Sequence, residues 1–298
     1  CEQRIGFFLH IPLPPPLILA AIPQHEWLMR SLFAYDLVGL QTQTDVAHFL
    51  SYVGTEISAD LLGEHEFRAF GKTLRVQAFP IGIDVDEFTA LAEGPESQAM
   101  YSQVHSEYSR RRVLLGVERM DYSKGLPQRF KAFRLLLQNY PENLGRATLI
   151  QIAAPSRESV DAYATLRKEL ESLSGAINGE FGQLDWMPMR SINRNVARKR
   201  LPGLYRAAAV ALVTPLSDGM NRVAKEFVAA QDPADPGVLV LSRFAGAAQQ
   251  MREALLVNPY DTAQMAETSQ LALQMPLAER QRRHQALLAG IRTEDVHW

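Results

Sequence analysis

V-A-L-V-T-P-L-S-D-G-M-N-R-V-A-K-E-F-V-A-A-Q, residues 210–231, reads as a strand, a turn and a helix in immediate succession. The apolar run at its start is that of a buried strand. Gly219 marks the turn, and Val223, Phe227 and Val228 recur at helical spacing, with Asn221 in the capping position. A strand running into a tight turn and a helix start brings free backbone N–H groups and the positive end of a helix dipole to one point, a setting suited to an anion and above all to phosphate. Asp218 before the turn and Glu226 in the helix add carboxylates suited to hydroxyl groups. Such junctions occur in every α/β protein and most bind nothing, so the surrounding chain decides.

Outward from this stretch, strands alternate with helices. On the N-terminal side, R-R-R-V-L-L-G-V gives a strand at 113–117, followed by E-R-M-D-Y-S-K-G. A helix follows over 126–140, with Leu126, Phe130, Phe133, Leu136 and Leu137 on one face. Residues 147–154 are a strand, followed by P-S-R-E-S and a charged amphipathic helix to about residue 173. A basic helix at 198–206 leads into the opening strand. On the C-terminal side come a strand at 237–241, a short helix at 246–252, an edge strand at 255–257 and two final helices rich in Gln, Glu and Arg. Alternation of this kind implies a parallel sheet with right-handed crossovers.

Nearer the N-terminus, I-G-F-F-L-H at 5–10 is a short strand ending in His10, and the prolines of I-P-L-P-P-P make the next segment a stiff loop. His10 thus lies at the carboxyl end of a strand, as a ligand contact or as a core histidine satisfied by a carbonyl. Two short helices split by Pro23, a strand at 36–41, a helix at 44–53 and a strand at 74–83 complete this section. It reads as the back half of a parallel-sheet domain. Residues 87–110, charged and polar with Gly94-Pro95 in their midst, read as a bridge to a second domain.

Composition narrows the function. The 298 residues are 47% apolar with a net charge of -2, as for a well-packed protein of one large or two ordinary domains. The balance lacks the basic footprint of a nucleic-acid binder. No run reaches the roughly 20 apolar residues of a membrane span. The single cysteine, Cys1, excludes an internal disulfide framework and fits a reducing, cytoplasmic compartment. A chain that starts at Cys1 directly before a strand reads as a piece of a longer or processed chain.

Several motifs fail on inspection. Gly71-Lys72-Thr73 mimics the end of a phosphate-binding loop, but Glu66 occupies the position of the required glycine and a strand, not a helix, follows. Asp84 and Asp86 form a D-x-D pair best read as a solvated turn. The seven histidines show no metal-ligand spacing, and there is no G-x-S-x-G. No carboxylate pair suggests the two-acid machinery of glycoside hydrolysis. What remains are three loops, 118–125, 155–158 and 216–221, which a parallel sheet gathers on its carboxyl edge. Arg119 and Lys124 come from the first, Arg157 from the second and the Asp218–Gly219 turn from the third, together a clamp for a phosphate or pyrophosphate.

Taken in order, I-G-F-F-L-H-I-P (5–12), D-L-V-G-L-Q-T (36–42), F-P-I-G-I-D (79–84), V-E-R-M-D-Y-S-K-G (117–125), D-G-M-N-x-V-A-K-E (218–226) and S-R-F-A-G-A-A (242–248) resemble the trehalose-6-phosphate synthase family along essentially the whole chain. The resemblance implies an α/β fold of two Rossmann-like parallel-sheet domains in the GT-B arrangement. Residues 1–88 would be the incomplete acceptor-side domain and 89–298 the nucleotide-sugar domain. It implies a retaining glycosyltransferase that moves glucose from a nucleotide-diphosphate glucose to glucose 6-phosphate, with no cofactor and no metal. Arg119 and Lys124 would clamp the donor diphosphate. Asp218, with the amides of Gly219, Met220 and Asn221, would hold the donor glucose, with Arg222 and Val223 beside them at the helix start. Glu226 would take the ribose hydroxyls, His10 would contact the transferred glucose and Arg157 the acceptor phosphate. Catalysis would rest on Arg119, Lys124, His10 and Asp218.

The departures are also clear. A glycine-bearing N-terminal loop, a W-V-H-D-Y-H-type motif and a last crossing helix of the family have no counterpart in these residues, and Arg222 stands where leucine is usual. A relative with another acceptor, such as a glucosylglycerol-phosphate synthase, and a nucleotide-sugar binding piece without turnover are the alternatives. The sequence implies neither a nucleic-acid nor a membrane partner, and is compatible with a homo-oligomer.

Overall fold

The computed structural model describes residues 3–155 and 161–297, and the chain divides into two units at Ile81/Gly82. The first contains β1 (Gly6–Phe8), α1 (Pro16–Ala20), α2 (His25–Leu32), β2 (Leu37–Leu40), α3 (Gln43–Glu56), β3 (Asp60–Gly63), β4 (Glu66–Ala69) and β5 (Lys72–Ala78). Its sheet runs β1-β2-β5-β4-β3. The first three strands are parallel, as alternation with helices requires, and β3 and β4 add an antiparallel ribbon. That ribbon is absent from the sequence reading. Its cause is local: Phe70 and Gly71, at φ 55° and 73°, form a two-residue turn between β4 and β5, the geometry that folds a strand back on its neighbour. The same turn disposes of the Gly71-Lys72-Thr73 mimic. Thr42 and Asp45 close a reciprocal capping box that starts α3, and Val38, Phe49, Tyr52, Leu74 and Val76 form the core.

The second unit begins with two helices where the sequence reading expected a bridge, α4 (Val85–Glu93) and α5 (Pro95–Glu107). Asp84 caps α4 by accepting from the Glu87 N–H at 2.8 Å, so half of the D-x-D pair serves as a helix start. Val85, Phe88 and Ala92 are buried on one side of α4, which packs on the later helix of the Val210 stretch. A polar average therefore hid an amphipathic helix.

Next come β6 (Arg112–Arg119), α6 (Leu126–Asn139), β7 (Ala147–Ala154), α7 (Asp161–Phe181), β8 (Met189–Ile192), α8 (Leu201–Ala207), β9 (Val210–Val213), α9 (Arg222–Ala230), β10 (Val238–Ser242), β11 (Leu255–Val257), α10 (Thr262–Gln274) and α11 (Leu277–Thr293). The sheet is parallel throughout, in the order β11-β10-β9-β6-β7-β8. β7, β9 and β10 are buried nearly end to end, as strands covered by helices on both faces must be. On α6, Leu126, Phe130, Phe133, Leu136 and Leu137 are all buried, so their spacing translates directly into core. The chain builds outward from β6 through β7 to β8, then returns to β6's other side with β9. β6 and β9 are therefore neighbours at the point where the winding reverses, and the carboxyl ends of strands at such a point are where open α/β sheets bind ligands. No helix of the described residues is long and apolar enough to cross a membrane.

Candidate active site

Two loops leave the sheet at that reversal. After β6, Asp121 accepts from the Ser123 N–H and hydroxyl, both at 2.9 Å, and starts a 3₁₀ turn over Tyr122–Lys124. Burial alone would push the Asp121 carboxyl up. The two Ser123 hydrogen bonds and the charges of Lys124 and Arg119 outweigh it and hold the group below the usual carboxylate range. Gly125 then turns the chain into α6 at φ +66°, where an added Cβ would lie 2.5 Å from the Thr214 carbonyl oxygen. After β9, the Leu216 N–H donates to the Ser123 carbonyl at 2.7 Å, which ties the second loop to the first.

Lys124 and Asp218 meet across this junction: Lys124 Nζ donates to Asp218 Oδ2 at 2.5 Å, with both side chains largely buried. Asn221 Nδ2 donates to the same oxygen at 3.0 Å. Asn221 occupies the capping position of α9 in the left-handed region, at φ 69°, and makes no side-chain cap bond. The side-chain capping expectation fails because the residue is left-handed and its Nδ2 turns to Asp218, leaving Oδ1 with no partner among the described residues. The Arg222 and Val223 N–H groups therefore gain nothing from that side chain, whereas the Ala224 N–H donates to the Asn221 carbonyl at 3.3 Å. The Asp218–Met220 turn is pinned from behind. Asp218 N–H donates to the Phe244 carbonyl, and Gly246 and Ala247 N–H donate to the Asp218 and Met220 carbonyls, at 3.1, 3.1 and 2.8 Å. This gives S-R-F-A-G-A-A a role as the brace of the turn.

Arg119 is the last residue of β6 and is exposed on the same edge. Glu226, in the second turn of α9, accepts from the Tyr205 hydroxyl at 3.3 Å and faces Arg222 Nη2 at 3.7 Å. Burial pushes its carboxyl up, against the opposing pull of Arg222 and of the Tyr205 hydrogen bond. Met220 is buried, Gly219 is packed in the turn and Val223 is half-buried at the helix start. His10 belongs to the first unit: it lies two residues past β1, exposed, with its ring 4.8 Å from that of Phe8, so a buried core histidine is excluded. Arg157 lies outside the described residues.

A residue that sequence reading overlooked lies beneath the site. Arg129, on α6, is 1% exposed. Its Nε donates to Thr214 Oγ1 at 3.0 Å, and one Nη1 serves both Glu118 and Gln151 Oε1, the latter at 2.9 Å. One guanidinium thereby joins the carboxyl ends of β6 and β9 to β7, directly under Lys124 and Asp218. Gly116 makes room for it, since a Cβ there would come within 2.5 Å of Arg129 Nη1. The available signal was a cation on an otherwise apolar helix face, one residue from Phe130.

Strand order, reversal point and paired loops define the class: a Rossmann-type α/β protein whose switch point is lined by a lysine, an aspartate and a helix N-terminus. The chain belongs to glycosyltransferase family 20, whose model matches residues 2–298. It is 49% identical over 296 residues to the trehalose-6-phosphate synthase of Klebsiella pneumoniae subsp. pneumoniae, covering 99% of this chain and 62% of that protein. It is 49% identical over 298 residues to that of Enterobacter sp. (strain 638), covering 100% of this chain and 63% of the relative. The UDP-forming alpha,alpha-trehalose-phosphate synthase of Burkholderia xenovorans, solved in complex with glucose-6-phosphate, superposes with a TM-score of 0.96 at 45% identity, over 99% of this chain and 66% of that one. An E. coli structure bound with UDP-2-fluoro glucose gives 0.96 at 46%, over the same shares. The expected α/β class with two Rossmann-like units holds, and the chain spans about 62% of the length of the curated relatives it matches.

Proposed function

We propose that the chain carries the donor-binding machinery of a retaining glucosyltransferase, which moves glucose from UDP-glucose to glucose 6-phosphate to form α,α-trehalose 6-phosphate. The observation that carries this reading is the Lys124–Asp218 pair at the β6/β9 reversal, beside the N-terminus of α9. Nucleotide and acceptor are taken from relatives described as UDP-forming, as bound with UDP-2-fluoro glucose and as in complex with glucose-6-phosphate.

In the proposed step the bond between glucose C1 and the diphosphate oxygen breaks, and the acceptor hydroxyl oxygen bonds to C1 on the same face. The acceptor's proton passes to the departing diphosphate, which leaves as UDP. Lys124, Arg119 and the α9 amides of Arg222 and Val223 neutralise charge on the leaving group, where a preorganised donor acts most strongly. Entering diphosphate draws Lys124 from Asp218, and the freed carboxylate, with the Gly219, Met220 and Asn221 amides, takes the glucose hydroxyls. Glu226 takes the ribose. His10 contacts the transferred glucose, and Arg157 the acceptor phosphate. The second unit is thus the donor side and the first the acceptor side. We place the reaction in the cytoplasm, in line with the lone cysteine.

The test follows nucleoside diphosphate release from UDP-, GDP- and ADP-glucose with and without glucose 6-phosphate or glycerol 3-phosphate. Release from UDP-glucose that depends on glucose 6-phosphate is expected. Dependence on glycerol 3-phosphate alone would assign the other acceptor, and donor binding with no acceptor-dependent release would leave a binding module.

A further inference from the structure

The amino edge of the second sheet, opposite Lys124 and Asp218, opens into a cleft of about 440 Å³. Its floor is Val113, Ala209 and Gly237, at the amino ends of β6, β9 and β10. Four guanidiniums, Arg111, Arg112, Arg206 and Arg280, line it with two carboxylates, Asp232 and Asp235, and a third carboxylate, Asp185, lies 4.0 Å from Arg111, so cations remain in excess.

Much of the arginine hydrogen-bonding capacity is fixed at the rim and leaves the rest for a ligand. Arg280 Nη1 donates to Asp235 Oδ1 and the Pro236 carbonyl, both at 2.6 Å, whereas its buried Nε has no partner among the described residues. Arg206 Nε donates to the Ala230 carbonyl at 3.0 Å. Arg111 Nη2 donates to the Asp185 carbonyl. Arg112, exposed at the mouth, is crowded: partial desolvation first, then the Arg280 charge, hold its pKa below the usual arginine value. The Asp235 carboxylate offsets part of this repulsion, and a bound anion would offset more.

We propose that this cleft binds a phosphate dianion, held by Arg112, Arg206 and Arg280 and carried by inorganic phosphate or by a small phosphate monoester. The cationic excess suits a phosphate group, which carries about −1.5 to −2 near neutral pH. The forked donors of arginine match its oxygens in pairs. The stacked rings of Tyr101 and His105, with centroids 5.6 Å apart, line one wall and give a nucleoside something to lie against. The site is independent of the glycosyltransferase reading, because it uses none of the carboxyl-edge residues.

Calorimetric titration of the chain at low salt, with inorganic phosphate and separately with adenosine 5′-monophosphate, tests it. Saturable binding is expected at millimolar ligand. It should persist in the Lys124→Ala background, which removes the donor-side phosphate clamp, and in that background weaken at least tenfold in Arg112→Gln and in Arg206→Gln. Tighter binding of the nucleotide assigns a monoester, equal binding assigns inorganic phosphate, and both support the cleft. Absence of saturable heat, or binding lost in Lys124→Ala and kept in Arg112→Gln, overturns the proposal. Should Arg206→Gln melt, as removal of its helix contact allows, Arg112→Gln still decides, because that side chain is exposed at the mouth.

Discussion

At the scale of single residues, Lys124 and Arg129 separate chemistry from support. On the proposed mechanism Lys124→Ala removes one charged contact to the leaving group, which by comparison with other transition-state donors would cost about 10²–10³ in turnover. Acceptor-dependent UDP release measured beside an unchanged circular dichroism spectrum checks this, and near-normal turnover would remove Lys124 from the mechanism. Arg129→Met instead strands Glu118 as a buried, unpaired carboxylate, and breaking such a pair costs about 3–5 kcal/mol. Urea unfolding should show that loss, and adding Glu118→Gln should recover part of it. Glu226 has a pH signature. Folding raises its pKa, chiefly by burial, so the folded state binds the proton more tightly. The stability this lends is present below the unfolded carboxyl pKa and is lost as pH rises through the folded one. Glu226→Gln should therefore be the more stable protein at pH 7, with the advantage shrinking as pH falls through the carboxylate range. A constant difference in urea midpoint would contradict this.

At the scale of elements, the junctions carry the site. Gly125→Ala forces a side chain into the left-handed region against the Thr214 carbonyl, so a loss of at least about 2 kcal/mol is expected. UDP affinity measured by titration should fall with it, since the same turn holds Lys124. This level also shows what a sequence discloses. Strands such as β7 and β10 are legible because burial on both faces leaves an unbroken apolar run. β3 is exposed along its whole length and β8 is four residues with a polar middle, so neither leaves such a run. α4 hid because Val85, Phe88 and Ala92 are sparse among charges, although one face suffices to bury it. The loops bearing Lys124 and Asp218 were legible because strand order alone puts them together. Arg129 and Tyr205 were not, because each is defined by partners distant in sequence, and the altered duty of Asn221 was not, because it depends on the left-handed backbone of the turn that carries Asp218.

At the scale of the whole molecule, the two units carry separate cores, one around Phe49 and Leu74, the other around Phe130 and Leu149. Residues 82–298 made alone should unfold in one cooperative transition and keep UDP affinity within about threefold. Failure of that piece to fold, or affinity lost in a folded piece, would show that the donor site needs the first unit. The placement of β9 beside β6 has a further consequence. Lys124 and Asp218 are 94 residues apart along the chain, so their meeting waits for a late strand to slot in next to an early one. On the ribosome, a nascent polypeptide released only as far as α8 would own half of the proposed donor site and, on that reading, no affinity. Nucleotide capture then becomes a sign that threading is finished, and free UDP would favour the completed topology over any tangled intermediate.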